Sequence, residues 1–307
     1  MTGTKPSAPT LVALDWGTTA LRGWLLDSRG HVLATSRAPR GIMQIEGGDF
    51  AAALAEITAG WPDLPAIAAG MIGSAQGWVE APYLACPASL DDLAGGLTRA
   101  PRGRLWIVPG VRRPGDLPDV MRGEETQIAG ALALRPELAA RARLVLPGTH
   151  SKWAHVAEGR IESFATFMTG ELFAILRDHS ILGRAAGPDG GGDGAAAFLG
   201  GVDAARHADG IAALLFSARA LALTGGIAAS EVLDYLSGLL IGDEIRSGLA
   251  EPGPAPLLIG EPALCARYAR AFARFGIAGA EIIPDAAVAG LWRIAATAGL
   301  VKNTEDA

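Results

Sequence analysis

The sequence predicts a duplicated α/β fold, with two lobes around a central cleft, and three observations carry that prediction. The stretch LVALDWGTTALRGW at 11–24 runs as an apolar strand, breaks at Asp15 into a Gly-Thr turn, and turns apolar again. LVLPGTHSKWAHV at 144–156 repeats that pattern around Gly148-Thr149. Each copy then opens a segment of strand and helix alternation, which marks a duplicated unit rather than two chance hairpins. With 307 residues the chain has room for two modest domains, expected at 1–138 and 139–307.

Taken in order, 11–15 and 21–26 read as strands, and Ser28-Arg29-Gly30 supplies the turn into a third strand, HVLATSRA. Residues 49–60 read as helix, 66–73 as a buried strand ending in a glycine loop, and 105–111 as another strand. A helix starts at Glu124-Glu125, where two carboxylates meet the positive end of its dipole, and continues through QIAGALAL. The second copy reads strand, Gly-Thr turn, strand, turn at Glu158-Gly159, strand. GRAAGPDGGGDGAAAF at 183–198 reads as a surface loop, because no strand leads into its glycines and no lysine follows them. Downstream, 230–249 has helical spacing, 256–276 reads strand, tight loop, helix, and 280–300 reads short strand and closing helix.

Half of the residues are apolar and 19% are charged, as in a packed globular chain. The net charge of −6 offers no general attraction to nucleic acid or to an anionic membrane. Cys86 and Cys265 are the only cysteines and stand far apart, which argues against a disulfide framework or a cysteine zinc site and fits a reducing cytoplasm. The first ten residues lack a signal-peptide layout and read as a frayed tail, and no run is long and apolar enough for a membrane span.

A Gly-Thr hairpin presents backbone N–H groups and hydroxyls, and glycine lets a phosphate approach closely. Two such hairpins, at Gly17, Thr18 and Thr19 and at Gly148, Thr149, His150 and Ser151, can clasp one polyphosphate. Asp15 either holds Mg²⁺ directly or through water, or caps its own turn. Lys152 and His150 could neutralise or hydrogen-bond a transferring phosphoryl group; the bland alternative is an exposed hairpin that alternates faces. Glu124 and Glu125 are candidates for a general base, or a helix cap; only one should point into a cleft, and Glu124 is favoured. Arg22 and Arg122 match an anionic substrate, since guanidinium grips a carboxylate with two prongs. Gly73, Ser74, Gln76 and Trp78, in the loop GMIGSAQGW, suit a polar substrate or simply connect two elements. IGEPAL, with Gly260, Glu261 and Leu264, has cleaner strand–loop–helix context than LTGG at 223–226, and is the preferred wall beside adenine.

With these motifs in place the chain resembles the 2-dehydro-3-deoxygalactonokinases, bacterial sugar-acid kinases. ALDWGTTALRGW, GMIGSAQGW, MRGEETQIAG, LPGTHSKW, FMTGELFAIL, YLSGLLIGDEI and IGEPALCARYARAF carry the likeness, PGTHSKW and RGEETQ most specifically. The resemblance implies a duplicated ribonuclease-H-like (actin-like ATPase) fold with ATP and Mg²⁺ between its lobes. It implies phosphoryl transfer to the C6 hydroxyl of 2-dehydro-3-deoxy-D-galactonate in D-galactonate catabolism. Asp15 to Thr19 would be the first phosphate element, Gly148 to Ser151 the second, and IGEPAL the adenosine side. The Glu124-Glu125 helix would stand where related kinases keep an acidic base, often Asp. The alternative within the superfamily is a polyphosphate or guanosine polyphosphate phosphatase that places water at the same glutamate. The expected partners are ATP and a small sugar acid, with no nucleic acid or membrane, and a homodimer is possible.

Overall fold

A computed structural model of the chain describes residues 8–187 and 194–301. The reading of a frayed tail therefore lies mostly outside the described residues, although β1 already begins at Pro9. The middle of the glycine-rich stretch, 188–193, lies outside them too. Its flanks are not loop: Gly183–Ala185 forms a single helical turn, and a helix begins at Ala195 with Ala197 and Phe198 buried. Among the described residues no helix is long and apolar enough to cross a membrane.

The chain divides into two compact units. The first comprises the chain up to Arg141, His155–Phe164, and the chain from Asp285 onward; the second comprises Ala142–Ala154 and Ala165–Pro284. The closing helix, expected with the C-terminal lobe, thus belongs to the first unit.

In the first unit β1 (Pro9–Trp16), β2 (Leu21–Asp27) and β3 (Val32–Ala38) form an antiparallel meander. The turn between β2 and β3 is fixed by Asp27, whose Oδ1 accepts the N–H groups of Arg29 at 2.8 Å and His31 at 2.9 Å. Helix α1 (Phe50–Ile57), capped by the Asp49 side chain, returns the chain to β4 (Ala66–Ala69), parallel to β1. That strand stops earlier than expected because Gly70 adopts φ 94°, a conformation that glycine takes without a Cβ clash. There follow β5 (Tyr83–Ala85), β6 (Ala88–Ser89), α2 (Leu90–Gly95), β7 (Thr98–Arg99) and β8 (Leu105–Ile107). The single strand expected over 105–111 is broken at Pro109, which has no N–H for a ladder. Its far half, β9 (Gly110–Arg113), joins β5 and β10 (Asp119–Met121) in a small separate sheet. Helix α3 (Glu124–Leu134) completes this stretch. The main sheet runs β3-β2-β1-β4-β8-β7. Leu11, Leu14, Ile67 and Ala68 at its centre are fully buried, as expected for strands covered on both faces.

The second copy begins with β11 (Arg141–Leu146), β12 (Ser151–Ala157) and β13 (Arg160–Phe167), whose first two residues pair with β6 within the first unit. Helices α4 (Thr169–His179), α5 (Ala195–Arg206), α6 (Ile211–Thr224) and α7 (Val232–Gly248) follow, then β14 (Pro256–Leu258) and α8 (Pro262–Arg274). The run before LTGG is therefore helix, and LTGG is its end: Gly225 takes a left-handed conformation and Gly226 donates back to the Leu221 carbonyl. The strand order β14-β11-β12-β13 repeats β4-β1-β2-β3, with β14 parallel to β11 as β4 is to β1. A further parallel bridge from Leu258 to Ile282 takes the place that β8 holds in the first copy. This is the duplicated ribonuclease-H-like topology.

In each unit, among the described residues, glycines let two helices cross closely. In the first, α3 meets α9 (Ala286–Thr297) so closely that a Cβ on Gly130 would lie 1.8 Å from the Ala286 carbonyl oxygen, and one on Gly290 1.9 Å from that of Thr126. In the second, Gly238 and Gly201 do the same for α7 and α5.

Candidate active site

The first Gly-Thr turn is a four-residue link in which the Gly17 N–H donates to the Ala20 carbonyl at 2.9 Å. It is braced from behind by 41–43: the Ile42 and Met43 N–H groups donate to the Gly17 and Thr18 carbonyls at 3.0 and 3.2 Å. Thr18 and Thr19 are exposed. Asp15 ends β1, half-buried, and stands directly across the ladder from Arg22. Their side chains form an ion pair at 3.0 Å. Arg22, expected to grip substrate, is thus engaged with Asp15, and Asp15 is engaged with Arg22 rather than with its own turn. Burial pushes the Asp15 carboxyl above its ordinary value, against the opposing pull of Arg22.

Two glycines bring the rest of this end of the sheet to Asp15. A Cβ on Gly70 would fall 2.8 Å from the Trp16 carbonyl oxygen and 3.6 Å from Asp15 Oδ1. A Cβ on Gly123, at the start of α3, would lie 3.3 Å from Gly70 Cα. The C-terminal ends of β1 and β4 and the N-terminus of α3 therefore converge.

The loop after Gly70 departs from the expectation of a donor-rich surface. Ser74 is buried and its hydroxyl donates to the Met71 carbonyl at 2.7 Å. Trp78, partly buried, stacks on Phe50 with ring centroids 6.1 Å apart and packs against the core. Gln76 is exposed, and Gly73 is buried under the Arg122 guanidinium. That guanidinium lies 4.2 Å from the Tyr83 ring centroid and donates to the Ala81 carbonyl at 2.7 Å, while its buried Nη1 has no partner.

Glu124 and Glu125 part company at the start of α3. Glu124 is half-buried and accepts the Arg122 N–H at 3.0 Å. Glu125 is fully buried, accepts the Gly123 N–H at 2.6 Å and the Thr126 hydroxyl at 3.0 Å, and borders a cavity of about 460 Å³ walled by Leu90, Leu93, Ile128 and Leu132. Burial, helped by the charge of Glu124, pushes the Glu125 carboxyl from its ordinary 4.5 to about 7. Between those values the folded state keeps a proton that the unfolded chain has released, so stability falls as pH rises through that window. Glu125→Gln, neutral throughout, should gain up to about 3 kcal/mol on the wild type between about pH 5 and about pH 8 in urea melts. A difference that does not change with pH would contradict this assignment.

In the second unit the Gly148 N–H donates to Ser151 Oγ at 3.3 Å, which closes the second turn as Ala20 closes the first. Ser151 is fully buried and bonds Tyr268 at 3.0 Å, so its hydroxyl is a structural staple of the turn. Lys152 is buried as well, with Nζ 3.5 Å from the His150 carbonyl oxygen. Residues 151–154 are all buried, which corrects the alternative of an exposed hairpin. Thr149 and His150 are exposed, and the His150 ring pairs with Glu171. The N-terminus of α4 rests on this turn: the Glu171 N–H donates to the Thr149 carbonyl at 3.0 Å, and a Cβ on Gly170 would lie 2.5 Å from the Gly148 carbonyl oxygen. IGEPAL runs beside the same turn. The Ile259 N–H donates to Val145 at 2.9 Å, and a Cβ on Gly260 would sit 3.4 Å from the Pro147 carbonyl oxygen. Glu261 proves to be the cap of α8, accepting the Leu264 N–H at 2.8 Å, and Leu264 packs on the core.

The sequence pattern of the 2-keto-3-deoxy-galactonokinase family matches residues 15–294. The chain belongs to that family. It is 38% identical over 290 residues to the 2-dehydro-3-deoxygalactonokinase of Escherichia coli strain K12, covering 92% of this chain and 97% of that one. It is 42% identical over 296 residues to a Rhizobium meliloti strain 1021 protein described as the same kinase, covering 91% and 94%. A solved structure from Sinorhizobium meliloti, described as a 2-dehydro-3-deoxygalactonokinase, superposes with a TM-score of 0.84 at 38% identity, covering 93% of this chain and 98% of that one. A more distant likeness, TM-score 0.53 at 11% identity, to the activator of a Clostridium difficile 2-hydroxyisocaproyl-CoA dehydratase shows the fold alone. Membership in the family makes this an ATP-dependent kinase.

Against that family background, four residues in these sites escaped the sequence reading: Tyr83, Glu171, Glu244 and Tyr268. Each acts through a partner remote in sequence, so no local pattern marks it.

Proposed function

We propose that this kinase transfers the γ-phosphoryl group of ATP to the C6 hydroxyl of 2-dehydro-3-deoxy-D-galactonate, in D-galactonate catabolism in the cytoplasm. The observation that carries the reading is the convergence of Asp15, Gly70 and the Gly123–Glu124 helix start at one end of the first unit's sheet. Glu124 is the general base that takes the proton of the attacking hydroxyl, because Glu125 is sealed from solvent. The donors fit Mg²⁺: Asp15 turns Oδ2 to Arg22, while Oδ1 stands 3.6 Å from where a Cβ on Gly70 would lie, so no side chain from position 70 covers it. Mg²⁺ held there, together with phosphate oxygens and water, would offset charge on the transferring group. The exposed Thr18, Thr19 and Thr149, with the glycines beside them, bind phosphate oxygens. His150 stands beside Thr149 with its Nε2 paired to Glu171.

The phosphatase alternative is not favoured, since relatives matched over nearly their whole length are kinases. A panel of sugar acids assayed by coupled ADP release with ATP and Mg²⁺ tests the substrate. Turnover should be fastest with the 2-dehydro-3-deoxygalactonate epimer; equal turnover with its gluconate epimer would remove the assigned specificity.

A further inference from the structure

We propose that Tyr268 and Glu244 are positioning residues for the nucleotide phosphates, acting on the second Gly-Thr turn through Ser151. The proposal rests on reading that turn as a phosphate element. Glu244 on α7, Tyr268 on α8 and Ser151 on β12 are each buried to within 1% of complete. The order of donors in this network is fixed by its ends. The Gly148 N–H can only donate, so Ser151 Oγ accepts it. Tyr268 donates to Glu244 Oε2 at 2.6 Å, and the Trp153 indole N–H donates to Oε1 at 2.8 Å. Because Tyr268 gives its proton to Glu244, the Ser151 hydroxyl donates to the Tyr268 oxygen at 3.0 Å, and it also interacts directly with the Glu244 carboxylate. The turn amide is thus linked, through the Ser151 and Tyr268 hydroxyls, to a buried carboxylate. Thr169, at the start of α4, bonds the same carboxylate, and α4 rests on the turn through Gly170 and Glu171.

A packed apolar cluster would hold these elements together at lower cost, because a buried carboxylate must be fully solvated by its neighbours. What such a cluster would not fix is the rotation of Ser151, and with it the direction in which the Gly148–Thr149 backbone points. Glu244 serves as the anchor that sets that direction.

The test uses steady-state kinetics of the full chain with ATP and the sugar acid, with melting temperatures measured in parallel. Tyr268→Phe keeps the ring and removes the hydroxyl, which cuts that link in its middle. It should raise the KM for ATP about tenfold with the sugar-acid KM within about twofold. Ser151→Ala should do the same, and the double variant should be no worse than the poorer single, since both cut one link. Thr149→Asp, which puts a negative charge on the exposed face of the turn, is the reference for the site itself. If Thr149→Asp leaves the KM for ATP unchanged, the turn is not a phosphate element and the underlying reading fails. If Thr149→Asp raises it while Tyr268→Phe and Ser151→Ala lower only the melting temperature, the network is merely structural. Additive effects of the two cuts would likewise overturn the single link.

Discussion

Asp15→Asn is expected to lower kcat about a thousandfold while leaving the fold intact, because one charged oxygen is replaced where charge must be neutralised in the transition state. Two features make the stability side of this expectation specific. The Arg22 partner is half exposed, and such pairs are worth about 0–1 kcal/mol. Burial already holds the Asp15 carboxyl above its ordinary value, so the ionised form is disfavoured by the fold and a neutral amide relieves that cost. The variant should therefore melt at the wild-type temperature or slightly above it. A site that is costly for the fold and retained for chemistry has this signature. A melting temperature lowered by several degrees, with kcat within about tenfold of wild type, would make Asp15 a structural residue instead.

Glu124→Gln is expected to lower kcat on the order of a hundredfold to ten-thousandfold, the usual worth of a positioned base. The Gln side-chain oxygen can still accept the Arg122 N–H, so the start of α3 should keep its geometry. ATP affinity should stay within about twofold of wild type, which separates a lost chemical step from a disrupted site. Glu125 cannot substitute for it, because its carboxyl faces the interior and is committed to Gly123 and Thr126. Unchanged turnover in Glu124→Gln would thus remove the base from this helix altogether.

The parts of this account that were legible in the sequence are those that local chemistry writes twice. The two Gly-Thr breaks, each opening a strand–helix series, announced a duplication, and the strand orders around β1 and β11 repeat it. Acidic residues at a helix start were legible for the same reason, since the dipole acts within one turn. The Asp15–Arg22 pair was legible in principle: in a hairpin closed by Gly17 to Ala20, positions 15 and 22 must face each other. Glu261 carried a usable signal as well, because a proline at the first helical position marks the residue before it as the cap. Trp78 and Ser74 were misplaced because a glycine-flanked loop was read by its donors, when the stacking of Trp78 on Phe50 and the turn bond of Ser74 decide its burial. The Glu244 network lay beyond sequence reading, since its members come from four elements spread over more than a hundred residues and only packing joins them.

The most direct test of the kinase account is phosphorus NMR of a reaction containing enzyme, ATP, Mg²⁺ and 2-dehydro-3-deoxy-D-galactonate. The account predicts a new phosphomonoester signal, split by the two protons on C6, that grows in step with ADP. Inorganic phosphate appearing at the same rate with and without the sugar acid, and no ester signal, would contradict it.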